Sequence, residues 1–167
     1  MLVSLVSVAF PGEPNGWEKH GWGTTLKSSY KVTPAFKENG KLKEMLKALD
    51  GGDVVLETST TFLDRRMDAR WSFSKTQGLY KVKLRWEDTR VESRGKYKAL
   101  LQSLKSSWGD PKEIGPDGEW IWEGRLTLAV AKRIRIATGS ALEIELQGRS
   151  FGSEAAPGES KGLIGLP

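Results

Sequence analysis

The stretch at residues 94–111, RGKYKALLQSLKSSWGDP, constrains the fold more than any other part of this chain. Its apolar side chains recur at i, i+3, i+4, i+7 and i+11, a spacing that places them on one stripe of an α-helix. Gly109 and Pro111 end the helix, because glycine accepts a left-handed cap and proline cannot continue the ladder. The apolar stripe consists of Tyr97, Leu100, Leu101, Leu104 and Trp108.

Strand-like runs lie on both sides of this helix, and a second amphipathic helix is predicted at residues 41–49. The strands are predicted at residues 54–62, 68–75, 79–87, 119–123, 125–137 and 141–147. The order is therefore helix, three strands, helix, three strands, and the apolar positions of the two helices align in sequence. This order predicts an α+β fold of two α-β-β-β units, with helices packed on one face of an antiparallel sheet.

Two hairpins have a predicted register. A two-residue turn at residues 77–78 would join the second and third strands so that apolar side chains meet. Its pairs would be Phe73 with Val82, Trp71 with Leu84, and Ala69 with Trp86. A three-residue loop at residues 138–140 would form the last hairpin, with opposite charges facing each other. Its pairs would be Ile136 with Leu142, Ile134 with Ile144, Arg135 with Glu143, and Arg133 with Glu145.

The composition is that of an ordinary soluble globular protein of 167 residues, with 38% hydrophobic and 28% charged residues. We expect one domain over residues 11–150, in halves at about residues 11–90 and 91–150. The chain has no cysteine, which excludes disulfides, thiolate zinc sites and thiol nucleophiles. The net charge of +5 permits an anionic partner without requiring one.

The two ends of the chain differ from the rest in composition. Residues 1–10, MLVSLVSVAF, are apolar and contain a small-x-small pattern at residues 7–9. They are either the remnant of an export signal or a short strand, and they are too short for a transmembrane helix. Residues 151–167 are rich in Gly, Glu, Ser and Pro, and a disordered tail is predicted there.

No catalytic signature is recognisable. His20 is the only histidine, so a catalytic triad or a histidine metal cluster would depend on it alone, and we expect a solvated or stacked loop side chain. The carboxylates are scattered, and Glu143 and Glu145 are expected to pair with arginines rather than to act as acid and base. The sequence therefore predicts a protein that is not an enzyme and has no cofactor and no metal.

One predicted sheet face is basic. In the register given above, Arg70, Lys81, Lys83 and Arg85 lie together on the face away from the helix. Such a surface could bind nucleic acid, phospholipid headgroups or an acidic protein. Nucleic-acid-binding sheets interleave aromatic residues with the charges, whereas the aromatic residues of these strands lie on the opposite face. A solvated face is therefore the favoured interpretation.

Several short motifs at the ends of predicted helices and strands resemble those of a known group of proteins. They are Gly21-Trp22-Gly23-Thr24-Thr25-Leu26, Gly78-Leu79-Tyr80-Lys81-Val82, a Tyr97-x-x-Leu100-x-x-x-Leu104 helix ending in Trp108-Gly109-Asp110-Pro111, and Trp120. Over roughly residues 17–147 the chain resembles small bacterial exported proteins of unknown function. It is also similar in shape to β-lactamase inhibitory proteins and small outer-membrane assembly lipoproteins. A lipid anchor is not implied, because there is no cysteine to acylate.

The resemblance implies a non-catalytic exported module, periplasmic or secreted, that binds or inhibits another protein. The alternative is a cytoplasmic binder of an anionic partner, either nucleic acid or an acidic protein, that uses the basic face. A hydrolase that uses scattered carboxylates is the third and least favoured hypothesis. The sequence does not name the partner.

Overall fold

The computed structural model describes residues 12–88, 93–115, 118–137 and 139–149. The first part contains strands β1 (Gly16–Trp17) and β2 (His20–Gly21), helix α1 (Leu26–Val32), a 3₁₀ helix (Pro34–Asn39), helix α2 (Leu42–Gly51), and strands β3 (Val54–Phe62), β4 (Arg65–Ser74) and β5 (Gly78–Asp88). The second contains helix α3 (Ser93–Trp108) and strands β6 (Glu113–Ile114), β7 (Trp120–Glu123), β8 (Thr127–Ile136) and β9 (Gly139–Gly148). The fold is α+β, as the sequence predicts.

The strands after α2 and those after α3 form one sheet. Its seven strands lie in the order β3-β4-β5-β9-β8-β7-β6, and every neighbouring pair is antiparallel. The centre is the pairing of β5 with β9, which runs from Lys81 opposite Gln147 to Asp88 opposite Ser140. Two meanders are thereby fused through their last strands. The short β6 is an addition to the predicted order, and β1 and β2 form a separate hairpin.

The helices cover one face of this sheet. Helix α3 buries Tyr97, Leu100, Leu104 and Trp108, as its spacing predicts, while Leu101 is only partly buried. The converging faces of the predicted strands and helix lead us to expect that Trp71, Leu84, Trp86, Leu104 and Trp120 are buried together. Of these, Trp71, Leu84 and Leu104 are at most 1% exposed. Trp86 and Trp120 are partly buried against the same cluster. Burial of the stripe therefore fixes α3 on the sheet.

The predicted register of the β4–β5 hairpin is wrong by two residues. Trp71 lies opposite Val82, Ala69 opposite Leu84, and Ser74 opposite Gly78, which leaves a three-residue loop. The Ser74 hydroxyl accepts a hydrogen bond of 2.9 Å from the Gln77 amide in this loop, and a register shift follows Ser72. Between Asp68 and Ser72 the error is an even number, so these side chains keep the face that the sequence predicts. Beyond the shift the error is three residues, and Leu79 rather than Tyr80 lies in the core opposite Phe73.

The predicted register of the β8–β9 hairpin is wrong by three residues, so side chains of β8 exchange faces. Ile136 lies opposite Gly139, Arg133 opposite Leu142, and Lys132 opposite Glu143. Arg133 and Arg135 therefore lie on the helix side, and Ile134 lies on the other side. The cause lies elsewhere along β8: Ala129 and Ala131 are completely buried opposite Leu146 and Ile144, so alternation places Arg133 and Arg135 on the same side.

The segment before α1 forms hydrogen bonds with the sheet at two places. The Glu13 carboxylate accepts hydrogen bonds from the amides of Leu126 and Thr127 at the β7–β8 turn. Trp22 donates its indole N–H to the Thr127 hydroxyl over 2.7 Å. The Gly23 amide donates to Leu79 O and the Leu79 amide to Thr24 O, each over 2.9 Å. This segment has the composition of a loop, but it forms hydrogen bonds with both meanders.

Two predicted segments lie outside the described residues. These are the export-signal remnant or strand at residues 1–10 and the disordered tail at residues 151–167. Both stay predictions. Deleting residues 152–167 is expected to leave thermal stability unchanged.

His20 is buried and stacked rather than solvated. It shares a hydrogen bond of 2.6 Å with the Thr33 hydroxyl. Its ring stacks on Phe36 at 6.0 Å between centroids and meets the edge of Trp71 at 5.5 Å. Burial lowers the pKa of His20 below its ordinary 6.5, and the nearby Lys19 ammonium lowers it further. The aromatic surroundings make the neutral ring part of the core.

This shift predicts a loss of stability on acidification. Below pH 6.5 the unfolded chain protonates His20 while the folded chain resists, so stability is full above that pH and falls below it. The free energy of unfolding should therefore decrease as the pH falls from about 6.5 to about 5.5. His20→Gln should decrease less, because it cannot titrate. Equal decreases in both proteins would place the acid sensitivity elsewhere.

Candidate interaction surface

The sheet face opposite the helices is the candidate site, and period-two alternation determines its composition. On β5 this open face carries Lys81, Lys83, Arg85 and Glu87, while Val82 and Leu84 face the core. The four basic residues that the sequence singles out, Arg70, Lys81, Lys83 and Arg85, all lie on it. These four residues therefore share one face of the sheet even though the predicted register of β4 and β5 is wrong.

Carboxylates accompany three of these four cations. Arg70 Nε lies 2.9 Å from a Glu57 carboxylate oxygen, and Arg85 Nε lies 2.7 Å from Glu87. Lys83 Nζ lies between two carboxylates, 3.3 Å from Glu143 and 3.4 Å from Glu145. The fourth cation, Lys81, has its ammonium 5.8 Å from the centroid of the Tyr80 ring. The surface is therefore a mosaic of both charges rather than a basic stripe.

The mosaic follows from the strand order. Across β3, β4, β5 and β9 one row reads Glu57, Arg70, Lys83, Glu145. The next row continues onto β8 and reads Asp68, Arg85, Glu143, Lys132. The second row joins opposite charges at every step, which favours the pairing of those strands. In the first row Arg70 and Lys83 are like charges on neighbouring strands, and each has a carboxylate on its other side, Glu57 and Glu145 respectively. Lys132 Nζ adds a contact of 3.5 Å to the Glu143 carboxylate.

Glu143 is the centre of the mosaic and its least exposed charge, at 9%. Partial burial lowers the pKa of Lys83, but Glu143 and Glu145 outweigh this effect, so its pKa lies above the ordinary value. Lys83 therefore stays charged near neutral pH. The outer pair of Arg70 and Glu57 is well exposed and contributes little stability.

Glu143→Lys should lower the free energy of unfolding by about 1–3 kcal/mol, because it places a third cation beside Lys83 and Lys132 and removes the carboxylate that contacts both of them. Equilibrium urea denaturation measures the loss. Glu145→Lys is the matched control, since the Glu145 side chain is more exposed, at 35% against 11%. It should cost less. Equal losses in the two variants would show that burial of Glu143 has no energetic role.

A shallow groove of about 560 Å³ lies in the open face. Its walls come from β3, β4, β5 and β9, and Glu38 of the 3₁₀ helix contributes at its rim. The polar groups include Glu57, Asp68, Arg70, Arg85 and Glu143. The groove thus presents hydrogen-bond acceptors and donors in close alternation.

Apolar side chains border the mosaic on the other half of the open face. Val130 lies opposite Glu145 on one side and Ile121 on the other. Leu128 lies in the next row, opposite Gln147. All three of these apolar side chains are partly exposed. Sequence analysis missed this border, because the predicted β8 register places Leu128 and Val130 on the same side as Ile134 and Ile136, towards the core.

The described residues contain neither a metal-binding cluster nor a membrane-spanning helix. Within residues 12–88, 93–115, 118–137 and 139–149, no group of three or more His, Cys, Asp or Glu side chains could hold a metal ion. No helix in the same ranges is long and apolar enough to cross a membrane. The ion-paired open face is therefore the feature on which a functional proposal can rest.

Comparisons with protein-family models, with curated proteins and with solved structures found no match to this chain.

Proposed function

We propose that the protein is a non-catalytic module that binds another protein through the open face of its sheet. The observation that carries this proposal is the ion pairing of the open face. Arg70, Lys83 and Arg85 each have a carboxylate within ion-pair distance. A polyanion would meet these carboxylates as repulsive neighbours, whereas a protein surface can present both charges in a complementary pattern.

The apolar border supports the same proposal. Protein interfaces combine apolar contacts with a polar rim, and the row from Glu145 through Val130 to Ile121 passes from charge to apolar surface. The export pattern in residues 1–10 supports a periplasmic or secreted location for this binding or inhibitory module.

Site-specific photo-crosslinking tests the proposal. A photoreactive residue at the exposed Ser59, which lines the groove, should capture a defined protein from the native source. The matched control carries the same group at Gln102, an exposed position on α3. Capture from Ser59 but not from Gln102 supports the open face. Capture from Gln102 alone, or from neither position, contradicts it.

The alternative is an anion-binding face, and Lys81 is the observation that favours it, because its described contact is with a ring rather than a carboxylate. Counterion release would make such binding fall steeply with salt. We expect weak binding of the parent protein to oligonucleotides and anionic vesicles, little changed in the triple variant K81E/K83E/R85E. Tight, salt-sensitive binding that disappears in this variant would favour the alternative.

A further inference from the structure

The outer edge of β8 continues beyond its neighbour. Strand β7 pairs with β8 only from Leu128 to Ala131, with Trp120 as its first paired residue. Strand β8 runs on to Ile136 and stays paired with β9 along its other edge. Among the described residues, no strand pairs with this edge of Lys132–Ile136, whereas β7 covers the same edge from Leu128 to Ala131.

The direction of its backbone groups follows from the β7–β8 turn. The Gly124 amide donates a hydrogen bond of 2.8 Å to Thr127 O, so the backbone polar groups of Thr127 point towards β7. Alternate residues of an antiparallel strand point the same way, which gives Ala129, Ala131, Arg133 and Arg135 this direction. The last two lie beyond β7. Among the described residues none bonds to their N–H or C=O groups.

The opposite edge of the sheet, formed by β3, has a side chain bonded to its backbone. On β3, the Asn39 carboxamide accepts from the Glu57 amide over 2.7 Å and donates to its carbonyl over 2.8 Å. One side chain thus supplies the pair of bonds that a neighbouring strand would make. Asn39 blocks the middle of that edge, whereas the described residues contain no equivalent block at Arg133 and Arg135.

The exposed edge is positively charged. The Arg133 guanidinium lies 5.2 Å from the centroid of the Tyr97 ring and donates to the Ser140 hydroxyl over 2.9 and 3.1 Å. No ion pair joins Arg133 or Arg135 to a carboxylate of the described part of the chain. Ile134 between them lies partly exposed on the other face. At this edge the backbone groups of Arg133 and Arg135 can pair with another strand, and the side chains of the same two residues carry positive charge.

We propose that this edge accepts an extended acidic peptide of a partner as an additional antiparallel strand. The peptide would place an acidic residue opposite Arg133 and another opposite Arg135, with a β-branched residue between them opposite Ile134. Main-chain hydrogen bonds supply the affinity, and the arginines select the charge. This site uses the edge rather than the open face and goes beyond the proposed function.

Synthetic peptides test the edge with the full chain. The probe is a capped hexapeptide in which glutamates alternate with valines, and its affinity is measured by isothermal titration calorimetry. N-methylation of the glutamate amides should abolish binding, because those N–H groups bond to β8. N-methylation of the valine amides is the matched control and should leave binding within about twofold, since those groups point away. Equal loss in both peptides would overturn strand addition.

Protein variants provide the second measurement. Arg135→Glu should weaken binding of the hexapeptide by about fivefold or more, as expected for one charge pair across strands. Arg125→Glu, at an exposed position in the β7–β8 turn, is the matched control and should change it little. Hydrogen exchange at the Arg133 and Arg135 amides should slow when the peptide binds. Absence of peptide binding, unchanged exchange, or self-association through this edge would each overturn the proposal.

Discussion

Replacing Leu104 with alanine is expected to lower the free energy of unfolding by about 2–5 kcal/mol. Leu104 is completely buried, and it lies on the α3 stripe that faces the sheet. Truncation removes apolar contacts and leaves a cavity that the packed surroundings fill only in part. Chemical denaturation monitored by tryptophan fluorescence measures the loss.

Leu101→Ala is the matched control for this prediction. Leu101 lies on the same helix and has the same chemistry, but it is only partly buried. Its substitution should cost clearly less than that of Leu104. A loss under about 0.5 kcal/mol for Leu104→Ala would mean that α3 does not pack as described.

Gly78→Ala is the second substitution with a large expected effect, about 3 kcal/mol or more. Gly78 begins β5 with a φ of +64°, and a Cβ there would lie 2.3 Å from the carbonyl oxygen of Gly23. Neither backbone segment can move aside easily, because hydrogen bonds join Leu79, next to Gly78, to Gly23 and Thr24. The substitution therefore forces the segment before α1 away from the sheet.

Gly118→Ala separates the two causes. Gly118 has a similar φ of +77°, but nothing lies within 4 Å of a Cβ built there. It should show only the conformational cost, about 1–2 kcal/mol. Thermal unfolding of both variants measures the difference. Equal losses at the two positions would show that contact between Gly78 and Gly23 contributes nothing.

Local patterns predicted the elements because their causes are local. The strand at residues 54–62 and the helix ending after Trp108 agree with the structure, since alternation, stripe and stop signals all lie within each segment. No pattern within residues 13–22 predicts that Glu13 and Trp22 bond to the β7–β8 turn. Their partners Thr127 and Leu126 lie more than a hundred residues away in sequence.

The same distinction explains the candidate surface. The common face of Lys81, Lys83 and Arg85 follows from alternation within one strand. The two carboxylate partners of Lys83 on β9 were missed, because Glu143 and Glu145 had been expected to pair with arginines of β8 in a local hairpin. Only the long-range pairing of β5 with β9 shows which charges meet. A basic stripe expected from one meander becomes a mosaic when the second meander joins it.

The same pairing also determines how the open face can bind. Glu143 and Glu145 bring negative charge beside Lys83, and Val130 brings apolar surface to the next strand. If β5 and β9 were not neighbours, the basic residues would lack these carboxylates and an anion would be the better ligand. The account therefore depends on the register of this one strand pair.

Disulfide formation between Lys83→Cys and Glu145→Cys tests that register most directly. These positions are direct cross-strand partners, and the chain has no other cysteine. Direct partners approach closely enough for a disulfide, whereas diagonal positions are about 7–8 Å apart. The account predicts rapid oxidation of K83C/E145C to an intramolecular disulfide and little oxidation of the diagonal pair R85C/E145C. Preferential oxidation of the diagonal pair, or of neither, would contradict it.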